Sequence, residues 1–225
     1  MHHLNVDIET RSDTDLGKSG VYRYAQSEAF EVLLIGYSID GGEVRVIDVS
    51  RGDDESTFRA LLTNPEYIKH AFNAEFEWVC LTKHPGLFLD PVQWRDTMLH
   101  AAYCGYAGSL ESVGAAIGLP EDKQKLSTGR ILIRLFCTPH KHTARDLRHW
   151  VQPEEEPEKW KLFIEYNRQD VIAERTIWER LAAHPVPEEI ENQWRQNLLM
   201  NARGVQIDLQ LVEGAIRAGD AAAQP

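Results

Sequence analysis

The sequence has few cysteines and a shortage of basic residues. Its three cysteines, Cys80, Cys104 and Cys137, are widely spaced and lie in apolar segments, which favours reduced core thiols over a disulfide framework. The 24 lysine and arginine residues are outnumbered by 35 aspartate and glutamate residues, so the formal net charge is −11. This charge argues against a protein that coats nucleic acid through a broad basic surface. It leaves open an enzyme that grips a short strand locally and uses metal ions to offset phosphate charge.

Long apolar segments are also absent. No stretch approaches the roughly 20 consecutive apolar residues that a membrane-spanning helix needs. Charged residues such as Asp7, Glu9 and Arg11 interrupt the N-terminal segment and argue against a signal sequence. With 225 residues, 43% of them hydrophobic, the chain can form one sizeable domain, alone or with a small appendage. We therefore expect a cytoplasmic, monomeric protein with no membrane contact.

Strand patterns dominate the first third of the chain, and helix patterns follow. β-Branched and aliphatic runs predict strands at residues 4–9, 32–39, 43–49 and 67–72, with a tight hairpin at residues 40–42. Apolar residues at helical spacing predict helices at residues 55–63, 75–82, 97–104, 110–117, 128–136, 158–181 and 188–202, with a short helix after Asp208. Residues 137–158 are expected to be mostly loop. This order indicates an α/β domain with a mixed sheet.

Two acids lie on a strand that should be central. Asp7 and Glu9 are two residues apart, so their side chains point to the same face, whereas Val6 and Ile8 can fill the opposite face. Burying two carboxylates is costly unless their charge is neutralised, and hard divalent cations prefer carboxylate oxygens. The pair therefore indicates either a metal site or a strand end at which both acids reach water.

Two later segments carry acids in comparable positions. Glu77 follows a strand-to-helix junction that Asn73 could cap, although acids in a first helical turn are also ordinary partners of the helix dipole. Tyr166 and Asp170 are four residues apart on the long helix, and therefore about one turn (roughly 5.4 Å) apart on one face. That face borders the apolar stripe predicted to meet the sheet. A metal would explain a carboxylate there, as would an ion pair with an arginine of the same helix.

In order and residue type, these segments resemble the three motifs of the DEDD exonuclease superfamily, which includes polymerase proofreading domains. The resemblance runs from residue 4 to about residue 183. Taken motif by motif, the matching residues are Asp7 and Glu9, then Asn73, Phe76 and Glu77, then Tyr166 and Asp170. Glu77 stands where the family has Asp. Glu165 occupies the position at which a sibling branch has His, so the chain is similar to the tyrosine branch.

This resemblance implies a ribonuclease H-like α/β fold whose central mixed five-stranded sheet is flanked by helices. It also implies a 3′→5′ exonuclease that removes nucleotides from single-stranded DNA ends by two-metal-ion hydrolysis, with Mg²⁺ or Mn²⁺ as cofactors. The implied metal ligands are Asp7, Glu9, Glu77 and Asp170. Tyr166 would orient the attacking water. The residues expected to contact the substrate are Thr10, Asn73 and Phe76.

The proline-rich segment at residues 184–187 predicts a boundary between an exonuclease domain at 1–183 and a linker with a helical tail at 184–225. Residues 201–208 resemble the opening of the polymerase region in phage and bacterial family A DNA polymerases. A DNA polymerase is therefore an expected partner, and the chain is either a piece of such an enzyme or a separate exonuclease. Two alternatives remain: the same site acting on RNA, or a catalytically silent module that binds DNA ends.

Two basic clusters could contact a phosphate backbone or could simply be solvated loops. They consist of Lys141, Arg145, Arg148 and His149 beside Trp150, and of Lys123, Lys125 and Arg130. The histidines near Cys137 lack a matched cysteine pair, which argues against a zinc site.

Overall fold

The structure is a computed structural model that describes residues 1–84, 86–120, 129–140 and 149–223. Lys123, Lys125, Lys141, Arg145 and Arg148, which belong to the two predicted basic clusters, lie outside these residues, as does the predicted start of the helix at residue 128.

A mixed five-stranded sheet lies at the centre of the described chain, with the strand order β3-β2-β1-β4-β5. The strands are β1 (His2–Arg11), β2 (Glu31–Ile39), β3 (Arg45–Asp48), β4 (Tyr67–Ala71) and β5 (Trp94–Asp96). β1 is antiparallel to β2 and parallel to β4, while β3 pairs antiparallel with β2 and β5 pairs parallel with β4. The predicted α/β class with a central mixed sheet is therefore confirmed.

Helices cover both faces of this sheet. They are α1 (Leu16–Gln26), α2 (Ser56–Thr63), α3 (Ala74–Lys83), α4 (Thr97–Tyr103), α5 (Leu110–Ala116), α6 (Gly129–Phe136), α7 (Pro157–Leu181), α8 (Glu188–Arg203) and α9 (Leu209–Ala222). Short 3₁₀ helices occur at Val49–Arg51 and Pro91–Gln93. None of the helices among the described residues combines the length and the hydrophobicity of a membrane-spanning segment.

The alternation of side chains along β1 separates an apolar core from a polar face. Leu4, Val6 and Ile8 are buried in a cluster with Phe58 of α2 and Trp78 of α3. The residues between them point to the opposite face, where the long helix α7 lies. There the Asn5 and Asp7 side chains hydrogen-bond to residues of α7. The central strand thus presents polar groups to a helix in a closely packed layer.

Three of the local signals in the sequence fall where expected, whereas Asn73 precedes α3 without a capping hydrogen bond from its side chain. The hairpin between β2 and β3 has positive φ at both Asp40 (48°) and Gly41 (75°), as a two-residue type I′ turn requires. The Asp96 side chain caps α4 by accepting from the Met98 amide at 2.9 Å. The 25-residue helix α7 matches the predicted long helix within a residue at its start.

Two elements were not predicted. Helix α1 is capped by Asp15, whose side chain accepts from the Lys18 backbone amide, and the helix is interrupted at Gly20, where φ is +74°. Of its eleven residues only Tyr24 and Ala25 are buried, so its apolar pattern is weak. Strand β5 has three residues, too few for an alternation to be visible.

The C-terminal helices differ in how they meet the rest of the chain. Leu198 of α8 is 1% exposed and belongs to the same cluster as the core of the sheet, and Trp194 packs against that cluster. The Tyr22 hydroxyl of α1 also donates to the Leu198 carbonyl at 3.1 Å. None of the residues of α9 is buried, and its Leu211 is 71% exposed. Helix α8 is therefore docked on the predicted exonuclease domain, whereas α9 is not.

Candidate active site

The polar end of β1 supplies the first two acids. Asp7 lies opposite Gly36 and Glu9 lies opposite Leu34 of β2, and the register shifts between Glu9 and Thr10. Such a shift is typical of a β-bulge, which bends a strand, and the pairing resumes between Thr10 and Val32. Glu9 is only 7% exposed. Both carboxylates lie on the face that α7 covers, as the alternation of side chains on a strand predicted.

Helix α7 brings the third acid to the same place. Asp170 is 3% exposed. Carboxylate oxygens of Asp7, Glu9 and Asp170 all lie within 4.8 Å of one another, and they form a group of three potential metal ligands. Carboxylates so close together, largely removed from water, repel one another unless protons or cations neutralise them. The structure thus joins residues that are more than 160 positions apart in the sequence.

Tyr166 lies one helical turn before Asp170 and is 1% exposed. Burial raises the pKa of its hydroxyl well above the usual value, and the negative charges of Asp170 and Glu9 raise it further. The hydroxyl is therefore neutral, and it hydrogen-bonds to Asp170. Helix α6 packs directly on the ring, since a Cβ added at Gly129 would lie 2.0 Å from Cε2 of Tyr166.

Glu77 lies on α3 near these acids, but outside the group of three. It is 4% exposed, and its Oε2 has no hydrogen-bond partner among the described residues. Burial raises the pKa of Glu77 well above its usual value, and the charge of Asp7 raises it further. Glu75, two residues earlier, lies elsewhere and accepts from the Tyr22 hydroxyl at 3.0 Å. Of the two glutamates, only Glu77 faces the acid cluster.

A cleft of about 650 Å³ opens onto the acids. Its walls include the three residues predicted to contact the substrate, Thr10, Asn73 and Phe76. Asn73 is the exposed residue that precedes α3, with φ of +70°, and its backbone N–H donates to the Asp96 side chain at 3.0 Å. Thr10 is 5% exposed, and its hydroxyl is already within 2.9 Å of the Tyr24 hydroxyl. A contact from Thr10 to a substrate would therefore use its backbone more easily than its side chain.

Other parts of the cleft wall were not predicted from the sequence. One side is formed by residues 12–17, the loop before α1 and the first turn of that helix. Another is formed by Ile133 of α6 and by residues 137–139. These residues carry no motif, and only the folding of α1 and α6 toward β1 brings them to the site.

Two polar residues of α7 were also missed. Asn167 donates from Nδ2 to both the Asp7 carboxylate and the Asp7 carbonyl, at 2.7 and 3.1 Å. Glu174, one turn after Asp170, accepts from Asn5 at 2.8 Å and from the Thr97 hydroxyl at 2.5 Å. For Glu174, the signal in the sequence is the continuation of the polar face, since residues 166, 170 and 174 follow one another at helical spacing.

In the described part of the predicted basic cluster around Trp150, the tryptophan ring already contacts two neighbouring side chains. The Arg11 guanidinium lies 5.2 Å from the ring centre of Trp150 and forms an ion pair with Glu31 at 2.6 Å. His149 packs edge-on against the same tryptophan. In the portion of the chain that the structure describes, the acid group of Asp7, Glu9 and Asp170 is the only cluster with metal-ligand spacing.

A mixed sheet with this strand order, and an acid cluster between its central strand and a covering helix, define a ribonuclease H-like fold. No family model matches the chain. Over 218 residues the chain is 42% identical to a DNA polymerase of Bacillus phage SP02, a match that covers 96% of this chain and 33% of the polymerase. The chain therefore spans about a third of the length of this relative.

Solved structures share the fold at low sequence identity. The RNase D of Trypanosoma brucei in complex with GMP matches with a TM-score of 0.60 and 16% identity, over 92% of this chain and 59% of that one. The family B DNA polymerase of the archaeon Pyrobaculum calidifontis matches with a TM-score of 0.50 and 16% identity, over 80% of this chain and 24% of that one. These similarities confirm the predicted fold.

Proposed function

We propose that this chain is a metal-dependent 3′→5′ exonuclease that removes nucleotides from single-stranded DNA ends. The observation that carries the proposal is the group formed by Asp7, Glu9 and Asp170, whose oxygens lie within 4.8 Å of one another at the base of an open cleft. The phage relative is a DNA polymerase, which supports DNA as the substrate and a proofreading or end-trimming role beside a polymerase.

The residues present fit a pair of hard divalent ions. All the candidate ligands are carboxylates, the donors that Mg²⁺ and Mn²⁺ prefer. The buried Oε2 of Glu77, which finds no partner in the described chain, is the kind of atom that a cation would satisfy. Asp7, Glu9, Glu77 and Asp170 would hold the ions. When bound, such ions acidify a water molecule and offset the charge of the phosphate under attack.

The remaining groups of the site bind and orient. Because the Tyr166 hydroxyl is neutral and donates to Asp170, its oxygen can accept a hydrogen bond from a water molecule without adding charge. Phe76 offers an apolar surface in the cleft wall for the terminal base, and Asn73 offers an exposed amide beside it. The cleft is open to solvent and lies between α1, α3 and α6, which suits a single strand that enters end first.

A nuclease assay tests this proposal directly. DNA and RNA oligonucleotides labelled at the 5′ end are incubated with Mg²⁺, with Mn²⁺ or with EDTA, and the products are resolved by length. We expect a ladder that shortens from the 3′ end of DNA only when a divalent ion is present. Asp170→Asn should lower the rate by at least a factor of about 100, as expected for loss of a charge that holds the catalytic ions. Undiminished cleavage in EDTA would overturn the metal-dependent mechanism.

Glu77 and Glu75 provide a matched pair of variants on the same helix. Glu77 is buried beside Asp7. Glu75 instead accepts a hydrogen bond of 3.0 Å from the Tyr22 hydroxyl, away from the acid cluster. We expect Glu77→Gln to reduce the cleavage rate by orders of magnitude and Glu75→Gln to leave it within a factor of about two. Loss of activity in Glu75→Gln alone would show that the second motif has been aligned incorrectly.

RNA is the second candidate substrate, and the fold shared with an RNase D is the observation that favours it. A chain that shortens RNA at least as fast as DNA would support this alternative. Binding of DNA ends with no cleavage under any ion would instead support a silent module.

We also propose that residues 1–183 form the exonuclease domain and residues 184–225 a linker and tail toward a polymerase. The closeness of α8 to the core indicates that this tail begins as part of the packed body.

A further inference from the structure

Asn167 lies on α7 between Tyr166 and Asp170 and is completely buried. Its Nδ2 donates to the Oδ2 of Asp7 at 2.7 Å and to the main-chain oxygen of the same residue at 3.1 Å. A single amide thus contacts both the carboxylate and the backbone of Asp7. Such a contact holds the side-chain torsion of Asp7 relative to its strand.

We propose that Asn167 is a positioning residue that orients the Asp7 carboxylate for metal binding, with Gly36 providing the space that this orientation requires. The inference rests on the proposed metal-dependent function. It assigns a role to two residues that belong to none of the matched motifs.

The chemistry of the amide suits this role better than a charged group would. Asn167 directs one donor group at a single carboxylate oxygen, Oδ2, and at the main-chain oxygen of the same residue. Because the amide is uncharged, it orients the carboxylate without competing with a bound cation. A lysine or arginine at this position would compete with the cation for the carboxylate. The reversed amide would bring its oxygen against two acceptor atoms of Asp7, so the observed orientation is the favourable one.

The neighbouring strand β2 has a glycine beside the Asn167 side chain. Gly36 lies opposite Asp7 in the register of β1 and β2. A Cβ added there would lie 2.5 Å from Oδ1 of Asn167 and 2.9 Å from Cγ2 of Val171, closer than real Cβ atoms approach such groups. Any larger residue at position 36 would therefore displace Asn167 from Asp7. β1, β2 and α7 together define the position of one carboxylate.

The test measures Mn²⁺ binding to the full chain, without nucleic acid, by electron paramagnetic resonance. Outer hydrogen-bond partners of metal ligands typically contribute a factor of about 10 to 100 in metal affinity. We expect both Asn167→Ala and Asn167→Leu to raise the Mn²⁺ dissociation constant by such a factor. Leu fills the volume of Asn but cannot donate, so an equal effect in the two variants points to the lost donor and not to a cavity.

Two further variants complete the design. Thr176→Ala is the matched control, because Thr176 is also a buried polar residue of α7 but bonds only to the Ile172 carbonyl in the described contacts. It should leave Mn²⁺ affinity within a factor of about two, since it touches no candidate ligand. Gly36→Ala keeps Asn167 but displaces it, and should weaken Mn²⁺ binding in the same direction. Unfolding curves in EDTA identify which variants are folded.

The possible outcomes separate this inference from the function on which it rests. If the wild-type chain binds no Mn²⁺, the proposed function fails and the inference fails with it. If the wild type binds Mn²⁺ and the folded Asn167 and Gly36 variants bind it equally well, the inference alone is overturned. A loss of affinity as large in Thr176→Ala would also overturn it, because the effect would then reflect general loosening of α7.

Discussion

Glu174 is a buried carboxylic acid whose charge state should control part of the pH dependence of stability. It is 1% exposed and accepts hydrogen bonds from Asn5 and Thr97. Burial raises its pKa from 4.5 to about 7, although the hydrogen bonds from Thr97 and Asn5 oppose this shift. The folded state therefore binds this proton more tightly than the unfolded state does, so the stabilising contribution is complete below pH 4.5 and is lost as the pH rises through 7.

The size of the effect follows from the two pKa values. A difference of about 2.5 units corresponds to a loss of about 3 kcal/mol in the free energy of unfolding, of which about 2 kcal/mol falls between pH 5.5 and pH 8.5. In Glu174→Gln this loss should disappear. The amide oxygen can accept from Asn5, and the amide nitrogen can donate to the Thr97 hydroxyl, which serves as either donor or acceptor. The packing and the number of hydrogen bonds are then nearly preserved.

The assay is urea denaturation of the wild type and of Glu174→Gln at several pH values between 5.5 and 8.5, in EDTA. The difference between the two free energies should change by about 2 kcal/mol in favour of the variant as the pH rises. Glu77 and Asp96 titrate in both proteins, so their contributions largely cancel in this difference. Glu165→Gln is the control, since the Glu165 side chain is 56% exposed on the same helix. A free-energy difference for Glu174→Gln that does not change with pH would refute the reasoning.

Three further predictions concern packing. In Gly129→Ala the added Cβ would lie 2.0 Å from the Tyr166 ring, so the ring should be displaced and the cleavage rate should fall by a factor of about 10 or more. Gly214→Ala is the control and should not change the rate, because an added Cβ there meets nothing within 4 Å. Leu198→Ala should lower the free energy of unfolding in urea by about 2–5 kcal/mol. Leu199 is 50% exposed, so Leu199→Ala should lower it by less than about 0.5 kcal/mol. Equal losses in the two variants would argue against docking of α8. Removal of α9, none of whose residues is buried, should leave the melting temperature nearly unchanged, and a large drop would reveal a packing role.

The sequence by itself determined the elements and faces that depend on nearby residues. Alternation along residues 4–9 separated the core side of β1 from the side carrying Asp7 and Glu9, and helical spacing put Tyr166 and Asp170 on one face of α7. These patterns are local, so they survive without knowledge of the partner element. Where the pattern was short or weakly apolar, as in β5 and α1, the sequence contained too little information to predict the element.

Only the tertiary structure decided how those faces meet. The distance between Asp7 and Asp170 depends on the register of α7 on the sheet, which is a property of the whole packed core and not of either segment. The same register brings Asn167 to Asp7 across the space left by Gly36, and Glu174 to Asn5. These contacts join residues more than 120 positions apart, and a glycine chosen for space has no signature in its own neighbourhood. The periodicity of the sequence predicts which face of each element is buried, whereas tertiary packing determines which other element contacts that face.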